Sequence, residues 1–203
     1  MSTNIAPIIG MSSEQAGRAA DRFQTFCRKE GSVLSKDTVQ VVLEEEGEEL
    51  SADMFATLRA RVERRAKMII RRVKVNRNLT HQQALDATGR AQHVNSEVLE
   101  TAPKVEGEEV NVYLFDLSYD PTTDELDREM EIRGLKPDFD ALAAINAADP
   151  SFADDCPNVT QWRDANGKAC SAVFGRWRDE RYVDVFRHDF GWRRSYRFAG
   201  VRK

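Results

Sequence analysis

An Asn-Gly dipeptide at positions 166 and 167 is the feature that most restricts how this chain folds. Both residue types tolerate the positive φ angles of a two-residue turn, so the pair is the strongest short-range signal for a β-hairpin. It lies between two segments rich in β-forming residues, Val159–Trp162 and Ala169–Phe174. The sequence therefore predicts two antiparallel strands joined at this turn.

Two further turn signals follow the hairpin. The segments Arg178–Glu180 and Asp189–Gly191 have the polar or Gly-containing composition of turns. They separate strands that we predict near Arg181–His188 and Trp192–Arg202. The last part of the chain is thus expected to form an antiparallel β meander.

Helix-start signals come before the meander. Thr80 with Gln83, and Thr122 with Glu125, have the spacing of a capping box, in which each side chain satisfies a backbone N–H of the other residue. Asp138 is placed to cap a third helix. Two earlier strands are predicted at Met68–Val75 and Val110–Leu117. These elements define an α+β fold.

The N-terminal part of the sequence is predicted to be helical. A helix capped by Ser12 or Ser13 is predicted to run to Gly31, with apolar residues on one side. A second helix is predicted from Ser51, with a buried face and a basic face. The buried face is formed by Met54, Leu58 and Val62. We predict a helical adaptor segment at 1–66 and an α+β ligand-binding domain at 67–203.

The sequence contains no assembled catalytic or metal-binding motif. Its three histidines, His81, His93 and His188, each lack a neighbouring motif of known mechanics. Cys170 and His188 could be drawn as a thiol site, but a buried, inert cysteine is the favoured interpretation. We therefore expect a protein that is not an enzyme and that has no cofactor and no metal.

Charge and cysteine content limit the location and the partners. The net charge of −4 argues against a surface built wholly for nucleic acid. Three widely spaced cysteines predict reduced thiols and a cytoplasmic protein. No segment reaches the ~20 apolar residues of a membrane helix, so membrane insertion is not expected.

A basic segment between positions 59 and 77 offers one possible function. An excess of arginine there could hold a phosphate backbone, or it could be a solvated helix face neutralised by the acidic run Glu44–Glu49. The first interpretation predicts a nucleic-acid-associated regulatory protein. Its contact residues would be Arg59, Arg61, Arg64, Arg65, Arg71 and Arg72.

The C-terminal region offers the other function. Residues 177–198 are rich in aromatic residues and arginine, the types that dominate interface hot spots. In the strand from Tyr182, strict alternation directs Val183 and Val185 to one face and Asp184, Phe186 and His188 to the other. We expect the second face to be exposed and mixed in character, unless these aromatics fill the core.

Together with the ending Phe198–Lys203, this region resembles the C-terminal variable region of proteins diversified by retroelements. In that family, misreading of adenines rewrites asparagine codons into many residues, but never into Lys, Glu, Gln, Met or Trp. None of these except Trp192 occurs between Arg181 and Phe198. The resemblance covers about the last thirty residues, with the variable-like region at 181–203.

The resemblance implies a compact C-type-lectin-like domain that binds an unknown protein or surface ligand without catalysis. Trp192 and Phe198 would be frame residues, and Arg193, Arg194 and Arg197 would pair with carboxylate or phosphate groups. The implied ligand-contacting residues are Asp184, Phe186, His188, Phe190, Gly191, Arg193, Arg194, Ser195, Tyr196 and Arg197.

Overall fold

The computed structural model describes residues 11–66, 68–188 and 190–203. The chain divides into two compact units, residues 1–62 and 63–203. The first described unit is helical, and the second combines helices with a β-sheet. The predicted α+β class with a helical N-terminal segment is confirmed at this level.

In the N-terminal unit, the described residues form three helices and a short 3-10 turn. Ser12 caps the first helix through a capping box with Gln15, and Gly31 ends it, as predicted. The acidic run at 44–49 spans the end of the second helix and the start of the third, with Glu46 between them. The elements are α1 (Ser13–Glu30), the 3-10 turn (Gly31–Val33), α2 (Lys36–Glu45) and α3 (Gly47–Ala66).

None of the described side chains between positions 11 and 62 is buried. The predicted buried face of the second helix is therefore wrong for the chain by itself, because Met54 and Val62 are exposed and Leu58 is half-buried. The helix also starts earlier than predicted, at Gly47.

An eight-stranded, mostly antiparallel sheet organises residues 63–203. The strand order is β1-β3-β8-β5-β6-β7-β2, and β4 pairs with β8 beside this path. Among the described strands, only the β2–β7 and β5–β8 pairs are parallel. The strands are β1 (Met68–Lys74), β2 (Ala91–Val94), β3 (Glu109–Asp116), β4 (Leu135–Lys136), β5 (Asn158–Arg163), β6 (Ala169–Trp177), β7 (Glu180–Arg187) and β8 (Arg197–Arg202).

Three of the four described helices of this domain begin where the sequence predicts, and α5 was not predicted. Both capping boxes form, at Thr80 and at Thr122, and the Asp138 carboxylate accepts a hydrogen bond from the Ala141 N–H. The helices are α4 (His81–Asp86), α5 (Ser96–Leu99), α6 (Thr123–Ile132) and α7 (Phe139–Ala148). Local side-chain chemistry thus determines these helix starts.

Two apolar clusters make up the core of the domain. The larger one includes Phe139, Leu142 and Phe174, together with Val183 and Val185 of β7. The other cluster contains Tyr113, Phe115, Trp192 and Phe198, with Tyr182, Phe186 and Tyr196 partly buried against it. Strand alternation sends neighbouring residues of β7 to different clusters.

The end of the chain departs from the predicted meander. The hairpin at Gly167 forms, and β5, β6 and β7 are antiparallel in sequence order. Strand β8 starts only at Arg197 and lies between β3 and β5, away from β7. Because β8 crosses to the middle of the sheet, the described residues between β7 and β8, 188 and 190–196, form a connection and not a strand. We call this connection the β7–β8 loop.

Candidate ligand-binding surface

Trp192 anchors the β7–β8 loop in the second core cluster. Only 3% of this residue is exposed. Its backbone N–H donates to the Pro121 carbonyl oxygen at 2.6 Å, and its indole Nε1–H donates to Gln161 Oε1 at 2.9 Å. A buried indole whose single donor is satisfied holds a loop in one position.

Gln161 connects this anchor to a helix. Its amide nitrogen donates to the Thr123 carbonyl oxygen at 2.9 Å and to Asp127 Oδ1 at 2.7 Å. Both partners belong to α6, whose start lies next to Pro121 in the sequence. One buried amide thus joins β5, α6 and the loop.

Backbone contacts hold the loop at further points. The Arg194 N–H donates to Asp120 Oδ1 at 2.8 Å, and the Cys156 thiol donates to the Ser195 carbonyl oxygen at 3.1 Å. At Gly191, an added Cβ would lie 3.0 Å from the Pro121 carbonyl oxygen, closer than ordinary packing. The loop is therefore shaped by its frame before any ligand arrives.

Four side chains of the loop face solvent. Phe190 is 79% exposed, and Arg193, Arg194 and Ser195 are also exposed. Among the residues that the structure describes, neither Arg193 nor Arg194 takes part in an ion pair. The loop presents an aromatic ring and two guanidinium groups to the outside.

Aromatic rings continue this surface inward around Trp192. The His188 ring stacks on the indole with centroids 4.0 Å apart, and it meets the Phe186 and Phe190 rings edge-on. Tyr196 contacts the indole from another direction at 5.5 Å. Phe186, His188 and Tyr196 are half-buried, so the face predicted to be exposed is partly core.

Two predicted contact residues are engaged elsewhere. Arg197 Nε lies 3.0 Å from Asp116 Oδ1, across the β8–β3 register. The Asp184 carboxylate lies 2.9 Å from His93 Nδ1 on the neighbouring strand β2. Both side chains stabilise strand pairing in the chain by itself.

The arginines of the basic segment differ in their exposure and in the side chains that they contact. Arg72 pairs with Glu109 at 2.7 Å, and the Arg71 guanidinium lies over the Phe152 ring. Arg59 and Arg61 are exposed on α3. The side chains of Arg64 and Arg65 lie outside the described residues.

Arg77, at the end of the same segment, is mostly buried. It forms a two-pronged ion pair with Asp138, with nitrogen–oxygen distances of 2.9 and 2.6 Å. The Asp138 side chain is 1% exposed. Removing either partner would leave a buried charge unpaired, and a guanidinium held in this way is not presented to a phosphate backbone.

The structure does not assemble the thiol site that the sequence allowed. The Cys170 thiol lies in the larger core cluster, 3.8 Å from Thr101 Oγ1, and burial raises its pKa. The His188 ring stacks on Trp192 of the other cluster. Cys27 is exposed and Cys156 is half-buried, and both are free thiols.

Two searches of the described residues bear on other functions. They contain no group of three or more His, Cys, Asp or Glu side chains arranged to hold a metal ion. No helix within them combines the length and the apolar character needed to cross a membrane.

Sequence reasoning missed the residues that support the loop. Asp120, Pro121 and Gln161 are distant in sequence from Trp192 and carry no motif of their own. The capping box at Thr122 was a usable signal for the helix, but nothing local indicates that the loop packs beside it. Comparisons of the chain with protein-family models, with curated proteins and with solved structures found no match.

Proposed function

We propose that this protein is a non-catalytic binding protein whose β7–β8 loop contacts a ligand through diversified side chains. This proposal is supported by the contrast between one buried side chain of the loop and the exposed side chains around it. Trp192 is buried and doubly hydrogen-bonded, while Phe190, Arg193, Arg194 and Ser195 around it are exposed. A fixed backbone with exposed, replaceable side chains suits a binding surface.

The chemistry of the exposed side chains indicates the kind of ligand. Phe190 offers apolar area with few rotatable bonds, and two guanidinium groups offer forked donors for carboxylate or phosphate. The ligand we propose is therefore a protein or other surface that combines an apolar group with acidic groups. Half-buried His188 and Tyr196 would line the inner edge of the contact.

The retroelement resemblance and a C-type-lectin-like domain belong to the same proposal. It is supported by the agreement between the residue types of the loop and the burial of its side chains. The residues that misread asparagine codons can produce include those of the exposed loop positions, and Trp192, which such codons cannot produce, is the anchor. Strands β7 and β8, which flank the loop, belong to the same sheet, so both ends of the loop are fixed.

Sequencing the 3′ end of the gene in sibling isolates tests the proposal. We expect substitutions concentrated at positions 190 and 193–195, with Gln161, Trp192 and Phe198 unchanged, and a template repeat that differs at adenines near a reverse-transcriptase gene. Uniformly rare substitutions would contradict diversification. If Trp192 is substituted as often as Arg193, the assignment of Trp192 as the anchor and Arg193 as a contact residue is contradicted.

Position 191 sharpens this test. The resemblance counts Gly191 among the variable residues, whereas the close approach to Pro121 leaves little room for a side chain. If the frame described above is correct, position 191 should vary less than its neighbours and favour small residues.

A further inference from the structure

The N-terminal unit carries apolar surface that the chain leaves uncovered. Eleven of the fifteen exposed large hydrophobic residues among the described ones lie between positions 11 and 62. Val33 is 86% exposed, and Phe26 and Phe55 are more than half exposed. A concentration of large exposed apolar residues is characteristic of an interaction site.

The apolar residues lie on definite helix faces. In α1, Ala16, Ala19, Phe23 and Phe26 alternate in steps of three and four, the spacing of a helix–helix seam. In α3, Leu50, Met54, Phe55, Leu58 and Val62 fall within one arc of ~140° at 100° per residue. Helices of this length gain most of their stability from packing such faces.

The charges on α3 indicate what covers these faces. On α3 itself, Glu48 and Glu49 lie in the first turn, with Glu44–Glu46 just before the helix, and arginines occur at 59, 61, 64 and 65. The macrodipole of a single helix already favours this polarity, but it does not explain the apolar face. When α3 pairs antiparallel with an identical helix, the acidic end of each helix lies beside the basic end of the other. A parallel pair would bring like charges together.

We propose that residues 11–62 bind the same residues of a second copy of this chain, with the two α3 helices antiparallel across a two-fold axis. Such a self-complementary contact is the commonest route to a homodimer. The proposal rests on the N-terminal unit alone and does not depend on the function of the β7–β8 loop.

Sedimentation velocity of the full chain over a concentration series tests the dimer. We expect a species of twice 23.1 kDa that becomes monomeric in Phe23→Glu and in Met54→Glu. Gln24→Glu adds the same charge next to Phe23 but off the apolar face of α1, so it should remain dimeric. Tryptophan fluorescence shows whether each variant keeps its C-terminal domain, since Trp162, Trp177 and Trp192 all belong to residues 63–203.

Charge exchange tests the pairing even where single variants are unstable. Glu48→Arg with Glu49→Arg reverses the charge of the first turn of α3, and Arg59→Glu with Arg61→Glu reverses the charge of two of the basic side chains towards its other end. We expect each double variant alone to lose at least tenfold in dimer affinity, and an equimolar mixture to recover it as a heterodimer.

Spin labels distinguish the two orientations. In a Cys27→Ser background, a label at Ala56, near the middle of α3, should give a short distance between copies. A label at Glu48 should give a distance longer by tens of ångströms, because α3 spans about 30 Å. Equal distances would overturn the antiparallel arrangement. A monomer at every concentration, a trimer, or recruitment of the wild-type chain to vesicles in place of dimerisation would overturn the proposal.

Discussion

Helices α1 and α7 show how similar helix signals lead to different surroundings. Each has a capping side chain at its start and apolar residues along its length. In α7, Phe139, Leu142 and Ile145 are buried in the larger core cluster, whereas no residue of α1 is buried. The difference teaches that an apolar pattern predicts a helix and its contact face, but not the partner that covers the face.

The largest expected effect comes from a residue that is buried within the chain, the loop anchor Trp192. Trp192→Ala removes a buried indole, its hydrogen bond to Gln161 and its stacking on His188. We expect a loss of about 3–5 kcal/mol in the free energy of unfolding, measured by urea denaturation. Phe190→Ala, two residues away and exposed, should change it by less than about 0.5 kcal/mol. Equal effects at the two positions would remove the distinction between frame and surface.

A buried ion pair should give the next largest effect. Asp138→Ala removes the partner of Arg77 and the cap of α7 together, so we expect a loss of about 3 kcal/mol. The exposed pair between Arg72 and Glu109 is the control, and Glu109→Ala should cost less than about 0.5 kcal/mol. A small effect of Asp138→Ala would contradict a structural role for the Arg77–Asp138 pair. Arg77 could then belong to a nucleic-acid-binding surface of the basic segment.

His81 should make the domain sensitive to pH. Its Nδ1 lies 2.7 Å from Asp140 Oδ1 and its Nε2 lies 3.1 Å from the Ala102 carbonyl oxygen, so the protonated ring donates to both acceptors. The hydrogen bond to Asp140 is the main cause that raises the pKa of His81, against the opposing effects of burial and Lys104. Arg77 lies on the other side of Asp140.

The sign of this effect follows from linkage. A pKa raised in the folded state contributes stability that is fully present below the unfolded value of 6.5 and is lost as pH rises through the folded pKa. Unfolding free energy measured from below pH 6.5 upward should decline by at most about 1.4 kcal/mol per pH unit from this one proton. In His81→Gln the decline should disappear. An unchanged profile would show that another group titrates.

The smallest effects should come from residues that the chain leaves uncovered. Replacing Phe190, Arg193 and Arg194 together by serine should shift the unfolding free energy of the domain by less than about 1.5 kcal/mol, because each exposed position contributes about 0.5 kcal/mol or less. Phe26→Ala, at a residue 62% exposed, should leave the fluorescence-detected unfolding of the C-terminal domain unchanged. A large shift from either change would show that these residues are covered within one chain.

Local signals account for what the sequence predicted correctly. The caps at Ser12, Thr80 and Thr122 and the turn at Gly167 depend on residues within four positions of each other, and all of them form. The short strand β2 was missed because it exists only through parallel pairing with β7, about ninety residues later. Helix α2 was not predicted, because its apolar residues, Val39, Val41, Val42 and Leu43, are confined to five consecutive positions.

Long-range contacts determine the candidate site, so it was only partly predictable. Residue types indicated the exposed Phe190, Arg193 and Arg194, and the resemblance indicated Trp192 as a frame residue. Sequence reasoning could not show that Arg197 would pair with Asp116 or that Phe186 would lie against the second cluster. Both contacts follow from the crossing of β8 into the sheet.

The central position of β8 also has a consequence for how the domain is made. Without this strand, the sheet falls into two pieces, β1 with β3 and β5 with β6, β7 and β2. During translation the edges of β3 and β5 therefore stay unpaired until residues 197–202 leave the ribosome, a state in which open edges favour aggregation. The two pieces of the sheet can therefore join only after β8 has been made.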